Sequence, residues 1–145
     1  MKNRTFNTLR VISIFAAIFF LYSNANALTP SQIKQIEGIA QEIATQYNNN
    51  ASSMTDEMTV STRAVAVSRN VIFQNVLRVK KGLSKSQLRE YQNAVRQEMV
   101  PGVCRQNANN PAFDRGLFYT FVYINTYGEK LAEIVIDKET CERLN

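Results

Sequence analysis

The sequence predicts an α+β domain, an antiparallel sheet of about four strands with two main helices in the order α-β-β-α-β-β, closed by one disulfide. Three observations predict it. Two segments open with Thr or Ser followed three residues later by Gln, then carry apolar residues at three- and four-residue spacing, the pattern of capped amphipathic helices. Four other segments are rich in Val, Ile, Thr, Phe and Tyr over strand lengths. The chain also holds 2 cysteines, both well downstream of a leader-like N-terminus.

The leader decides the compartment. Lys2, Arg4 and Arg10 precede an uncharged apolar run of 12 residues, Val11 to Tyr22, and Ala25 and Ala27 then fit a small-residue cleavage site. That order is the secretory pattern. A membrane span needs about 20 apolar residues, so the run is too short to be a stable anchor. Residues 1–27 therefore read as a cleaved signal peptide and residues 28–145 as a single domain, periplasmic or secreted. Cleavage leaves 118 residues with 14 Lys/Arg against 12 Asp/Glu, a net charge of +2 in place of +5. So small a surplus does not point to nucleic acid. An exported chain meets an oxidising compartment, so Cys104 and Cys141 are expected to be bridged, the alternative being two free thiols.

In the mature chain, Thr29-Pro30-Ser31-Gln32 forms a capping box with Pro at the first helical position. Ile33, Ile36, Ile39, Ala40, Ile43 and Tyr47 follow as an apolar stripe, and the helix should stop at Asn48-Asn49-Asn50. Met58 to Val67 and Val71 to Val79 read as an antiparallel hairpin turning at Ser68-Arg69-Asn70. Ser84-Lys85-Ser86-Gln87 is a second capping box, ahead of Leu88, Tyr91, Val95 and Met99 at helical spacing. Pro101-Gly102 should break that helix just before Cys104. Asn110-Pro111 opens one short turn that Gly116 closes. Leu117 to Asn125 and Lys130 to Asp137 read as the last hairpin, with Tyr127-Gly128 as a two-residue loop. In that register Tyr123 faces Ala132, Phe121 faces Ile134 and Tyr119 faces Ile136.

Val103-Cys104, the Asn110-Pro111 turn, Gly116 leading into an aromatic strand and the Gly128 hairpin ending at Cys141 together resemble a recurring type of small exported protein of Gram-negative bacteria. The overall plan also resembles small disulfide-bonded accessory proteins of secretion systems, such as pilotins. The resemblance implies a bacterial periplasmic setting and adds nothing about activity.

The chain has no histidine, which excludes His-activated nucleophiles and His-based metal sites. It carries no phosphate-binding Gly-rich loop, dinucleotide fingerprint or Ca²⁺ loop. No cofactor and no metal are expected. Carboxylate chemistry survives, with Glu90, Glu98, Asp114, Glu133 and Asp137 as candidates for a small cell-wall or polysaccharide hydrolase.

Two surfaces stand out as binding candidates. The outer face of the last hairpin would carry Phe118, Val122, Ile124, Leu131, Glu133 and Val135, an apolar patch suited to a partner protein. Alternatively the first helix covers that face and it is core. Arg78, Lys80, Lys81, Lys85 and Arg89 form a basic run that fits an acidic partner, or else a solvated strand end and helix start. The leading expectation is a non-enzymatic binding or accessory protein of inhibitor, immunity or secretion-accessory type. Its partner would be another envelope or secreted protein. A purely structural envelope component is not separable from it by sequence.

Overall fold

The structure, a computed structural model, describes residues 27–144; the leader read over residues 1–27 lies outside them apart from Ala27. Helix α1 spans Pro30–Asn50, and its first turn is closed as the capping box requires. Gln32 N–H donates to Thr29 Oγ1 at 3.2 Å and Thr29 N–H donates to Gln32 Oε1 at 2.8 Å. The helix buries Ile36, Ala40 and Ala44, one residue per turn, whereas Ile39 stands off that stripe and is exposed. A short 3₁₀ turn, Ala51–Met54, leads to strand β1 (Thr59–Val67), which folds back into β2 (Asn70–Leu77). Val67 pairs with Asn70, so the turn is the dipeptide Ser68-Arg69, with Ser68 in the left-handed region.

Helix α2 spans Lys85–Gln106, capped by Ser84 and Gln87 in the same reciprocal way. It runs through Pro101, where the sequence predicts a break. Proline inside a helix removes one hydrogen bond and costs about 3 kcal/mol. The last turn persists because it is held from outside: Val100 is buried, Val103 packs on the core and Cys104 is bonded to Cys141. Then come the single turn α3 (Pro111–Asp114), capped by the Asn110 side chain, strands β3 (Phe118–Asn125) and β4 (Lys130–Ile136), and the short α4 (Lys138–Glu142).

The four strands form one sheet in the order β1-β2-β3-β4. Both hairpins are antiparallel, and the pair that joins them, β2 with β3, is parallel. The reason is the connection. Helix α2 carries the chain back along the sheet, and a crossover of this kind delivers the next strand in the same direction as the last. The expected register of the second hairpin is present: Tyr119, Phe121 and Tyr123 oppose Ile136, Ile134 and Ala132. Its loop is one residue longer than expected. Gly128 N–H donates to Asn125 O and Asn125 N–H to Glu129 O, leaving Thr126, Tyr127 and Gly128 as a three-residue loop with Gly128 at φ +81°. The strand pairing then slips back by one, because Ile124 opposes Lys130 while Tyr123 opposes Ala132, so Leu131 is a β-bulge.

Both long helices lie on one face of this sheet. Their buried residues Ile36, Ala40, Ala44 and Val100 form a single core with Ala64, Val71, Phe73, Tyr119, Ile134 and Ile136. The Cys104–Cys141 disulfide, with its Cα atoms 5.4 Å apart, ties the end of α2 to α4. Closing a loop of 37 residues stabilises the fold by about 3–4 kcal/mol in the chain-entropy view.

Candidate functional site

On the inner face β1 places small residues under the helices, Ala64 and Ala66, whereas β4 carries Ala132 together with the bulky Ile134 and Ile136. Helix α1 meets β1 with its own alanines, Ala40 and Ala44, which lets the two backbones approach closely. The central strands carry the large rings. Phe73 of β2 and Phe121 of β3 stack at 4.8 Å between centroids, with Tyr47 edge-on to Phe73 at 4.7 Å and Tyr119 6.0 Å from it. Helix α1 packs on β1 and β2, and α2 packs on β4. Between them runs a groove of about 340 Å³. Phe73, Tyr119 and Phe121 form its floor, Ile43 one wall, and Val103, Gln106 and Asn107 the other.

One polar cluster closes an end of this groove. Tyr119 Oη donates to Asn107 Oδ1 at 3.0 Å, and the Asn107 amide donates to Val103 O at 2.9 Å. Toward the other end Tyr123 Oη donates to Met99 Sδ at 2.6 Å and its ring meets Tyr91 edge-on. Burial pushes the Tyr119 hydroxyl above its ordinary range, and burial aided by the Glu98 charge does the same for Tyr91. Tyr123 is pushed up to about 12, chiefly by burial, then by Tyr91, Tyr47 and Glu98. These hydroxyls are therefore neutral hydrogen-bond donors at physiological pH, and no activated nucleophile stands among them. The groove is lined mainly by aromatic and aliphatic side chains. No spacing in the sequence marks the groove, because it depends on where the two helices settle over Phe73, Tyr119 and Phe121.

The outer face carries no helix among the described residues. The sequence left open whether α1 covers it, and α1 lies on the other side. In register order, one row across the sheet reads Val65, Ile72, Thr120, Val135, and the next reads Arg63, Gln74, Val122, Glu133. Phe118, Val122 and Ile124 are half-buried, and Val135 and Glu133 are exposed. Leu131 does not join them. The bulge sends it into the structure beside Leu88 and Gln92, where it is 2% exposed. At the hairpin tip, buried Asn125 organises the loop. Its Oδ1 accepts from Tyr127 N–H and Glu129 N–H, while its amide donates to the Glu129 carboxylate at 2.7 Å.

The basic run is exposed throughout. Arg78 donates to Glu57 O, Lys81 lies 5.9 Å over the Tyr127 ring, and Lys85 opens α2. None of Arg78, Lys80, Lys81, Lys85 and Arg89 pairs with a carboxylate among the described residues. The candidate carboxylates are scattered or engaged. Glu90 and Glu98 lie on α2, Asp114 pairs with Lys138 at 3.3 Å, and Glu133 pairs with Lys130 at 2.8 Å. Asp137 caps α4, and the Thr140 hydroxyl bound to it holds its carboxyl below the usual range. A hydrolytic acid needs the opposite shift. Among the described residues no group of three His, Cys, Asp or Glu side chains is placed to hold a metal ion.

No protein-family model and no curated protein matches the sequence. Solved structures do match. The pilotin of the Vibrio vulnificus type 2 secretion system superposes with a TM-score of 0.61 at 14% identity, covering 78% of this chain and 97% of that one. A protein of Pseudomonas aeruginosa described as secreted gives 0.61 at 12% identity, covering 79% and 99%. The Vibrio cholerae type II secretion pilotin gives 0.52 at 20% identity, covering 77% and 96%. At these identities the likeness is one of fold, and it extends over nearly the whole of each neighbour: the chain has the architecture of small secreted proteins and type II secretion pilotins.

Proposed function

We propose that this chain is a non-enzymatic accessory protein of the bacterial envelope, of the secretion-accessory kind, which holds an apolar segment of another envelope protein in the groove between α1 and α2. The observation that carries the reading is the groove itself. It has a floor of large aromatic rings, walls from two helices, and in its lining one tyrosine hydroxyl, that of Tyr119, which burial keeps protonated. The fold neighbours support the secretion-accessory kind, since two of them are pilotins. Removal of residues 1–27 belongs to the same reading. The mature chain would begin at Leu28, which packs on the core one residue before the α1 cap, so processing there leaves every described element intact. The exposed run from Arg78 to Arg89 would lie at one end of the assembly, available to an acidic surface of the client.

Site-specific photocrosslinking in the native host tests it. A photoreactive residue in place of Ile43 or Gln106, at the groove walls, should capture one component of a secretion system. The same probe at Lys34, on the exposed side of α1, should not. Loss of capture on adding Phe121→Arg should accompany retention of the folded circular dichroism spectrum. Capture from all positions alike, or from none, rejects the reading.

A further inference from the structure

We propose that the outer sheet face is an interface between two copies of this chain, packed sheet against sheet about a twofold axis parallel to the strands. The inference does not depend on what the groove holds. It rests on how charge is distributed over the face that the helices leave bare.

Four rows cross that face. From one end they read Val67, Asn70, Phe118; then Val65, Ile72, Thr120, Val135; then Arg63, Gln74, Val122, Glu133; then Ser61, Val76, Ile124, Lys130. The second row is apolar but for Thr120, and its two ends are open: Val65 is 48% exposed and Val135 42%. The third row is a dipole. It has a cation on the edge strand β1, an acid on the opposite edge strand β4, and only uncharged side chains between.

A twofold axis along the strands keeps every row at its own height and reverses the order of the strands. Strand β1 of one copy then lies over β4 of the other. Arg63 meets the second copy's Glu133, and by symmetry Glu133 meets the second copy's Arg63. Along the apolar row Val65 meets Val135 and Ile72 meets Thr120, which is how the facing layers of a sandwich interdigitate. The other in-plane axis, across the strands, lays β1 on β1, where Arg63 finds no acid. The charge pattern thus selects one of the two arrangements.

The charges are free to take these partners. Arg63 Nε donates to Gln74 Oε1 at 2.6 Å, which engages one donor of its guanidinium. Glu133 pairs with Lys130 on its own strand, with the carboxylate side chain 45% exposed, and such solvated pairs exchange at little cost. Each edge strand also carries a bulge at the same end of the face, Val60 on β1 and Leu131 on β4, which disfavours addition of a further strand along either edge. Pairing through the face is left as the route to association. Four strands about 4.8 Å apart and about eight residues long give a footprint of roughly 500 Å². A standard interface buries about 800 Å² per partner, so the dimer is reversible and concentration-dependent.

Sedimentation equilibrium of the disulfide-intact protein purified from the periplasm tests this. The expected result is a monomer–dimer equilibrium abolished by Val135→Lys. Arg63→Glu and Glu133→Arg should each weaken it by at least about tenfold, and the double swap should restore most of the loss. All four variants alter exposed side chains, and unchanged circular dichroism spectra will show that they fold. Three results overturn the proposal: a monomer at every concentration, a dimer indifferent to Val135→Lys, or a double swap as weak as either single. A monomer that still crosslinks its client through the groove refutes the dimer alone.

Discussion

Neighbouring residues of strand β2 meet opposite surroundings. Phe73 is 7% exposed and touches the rings of Tyr47, Tyr119 and Phe121. Ile72 and Gln74, one position to either side, lie on the bare face and are only half-buried. On β3 the contrast is weaker, since outer-face Phe118 is half-buried but outer-face Thr120 is as buried as Tyr119. The two faces differ in kind as well as in burial. The inner face mixes alanines and isoleucines with large aromatics under the two helices. The outer face is mostly β-branched, with charges at the ends of two of its rows, Arg63 and Glu133 in one and Lys130 in the next. Helix burial thus gathers rings and alanines on one face and leaves the charges to the other.

The largest effect is expected of Phe73→Ala. It should destabilise the fold by about 3–5 kcal/mol in denaturant unfolding, since the rings of Tyr47, Tyr119 and Phe121 lose the one they pack around. Reducing the disulfide, or replacing both cysteines by Ser, should cost about 3–4 kcal/mol and lower the denaturant midpoint without altering the outer rows. Asn48→Ala should cost about 1–3 kcal/mol. The Asn48 amide donates to Ala64 O at 2.8 Å and accepts from Ala64 N–H at 2.7 Å, satisfying the free edge of β1 where a further strand would otherwise pair. At the small end, Val65→Ala on the outer face should change monomer stability by no more than about 0.5 kcal/mol.

Titration separates surroundings in the same way. The Tyr123 hydroxyl on the inner face is raised to about 12 from 10.0, so the folded state holds its proton more tightly than the unfolded chain does. The stability it contributes is fully present below pH 10 and is lost as pH rises toward 12, and its phenolate absorbance should appear only there. Asp137 behaves oppositely. Its carboxyl is lowered from 3.8 by the Thr140 hydroxyl, so the stability it lends α4 is present above pH 3.8 and is lost as pH falls through the folded value. The stability difference between wild type and Asp137→Ala should therefore be flat at neutral pH and shrink in acid.

Much of the fold was legible because it is local. Thr29 with Gln32 and Ser84 with Gln87 announce both helix starts within four residues, and the alternation of Tyr119, Phe121 and Tyr123 against Ile136, Ile134 and Ala132 fixes the register of the last hairpin. The bridge between Cys104 and Cys141 followed from the compartment read from the leader. What escaped depends on distant parts of the chain. Pro101 breaks isolated helices, and only the covalent hold on Cys104 and the burial of Val100 explain why it does not break this one. The direction of β3 relative to β2 is set by where α2 crosses, and the groove by how far apart two helices settle. Phe118, Val122, Ile124 and Val135 share alternate positions that the sequence shows, whereas Leu131, expected beside them, is turned inward by a bulge no local pattern marks.

On the proposed export of this chain, the parallel pairing of β2 with β3 has a consequence for the order of events at the translocation pore. If the chain emerges N-terminus first, the β1–β2 hairpin reaches the far side while its neighbour β3 is still threaded, and the inner edge of β2, with Phe73, stays unmatched until α2 and β3 have passed. The covalent lock comes later still, because Cys104 waits for a thiol 37 positions behind it. During that interval the first half of the molecule is a sticky, half-finished sheet. An exported chaperone or oxidase that shields this edge should matter more for the yield of this protein than for its final stability.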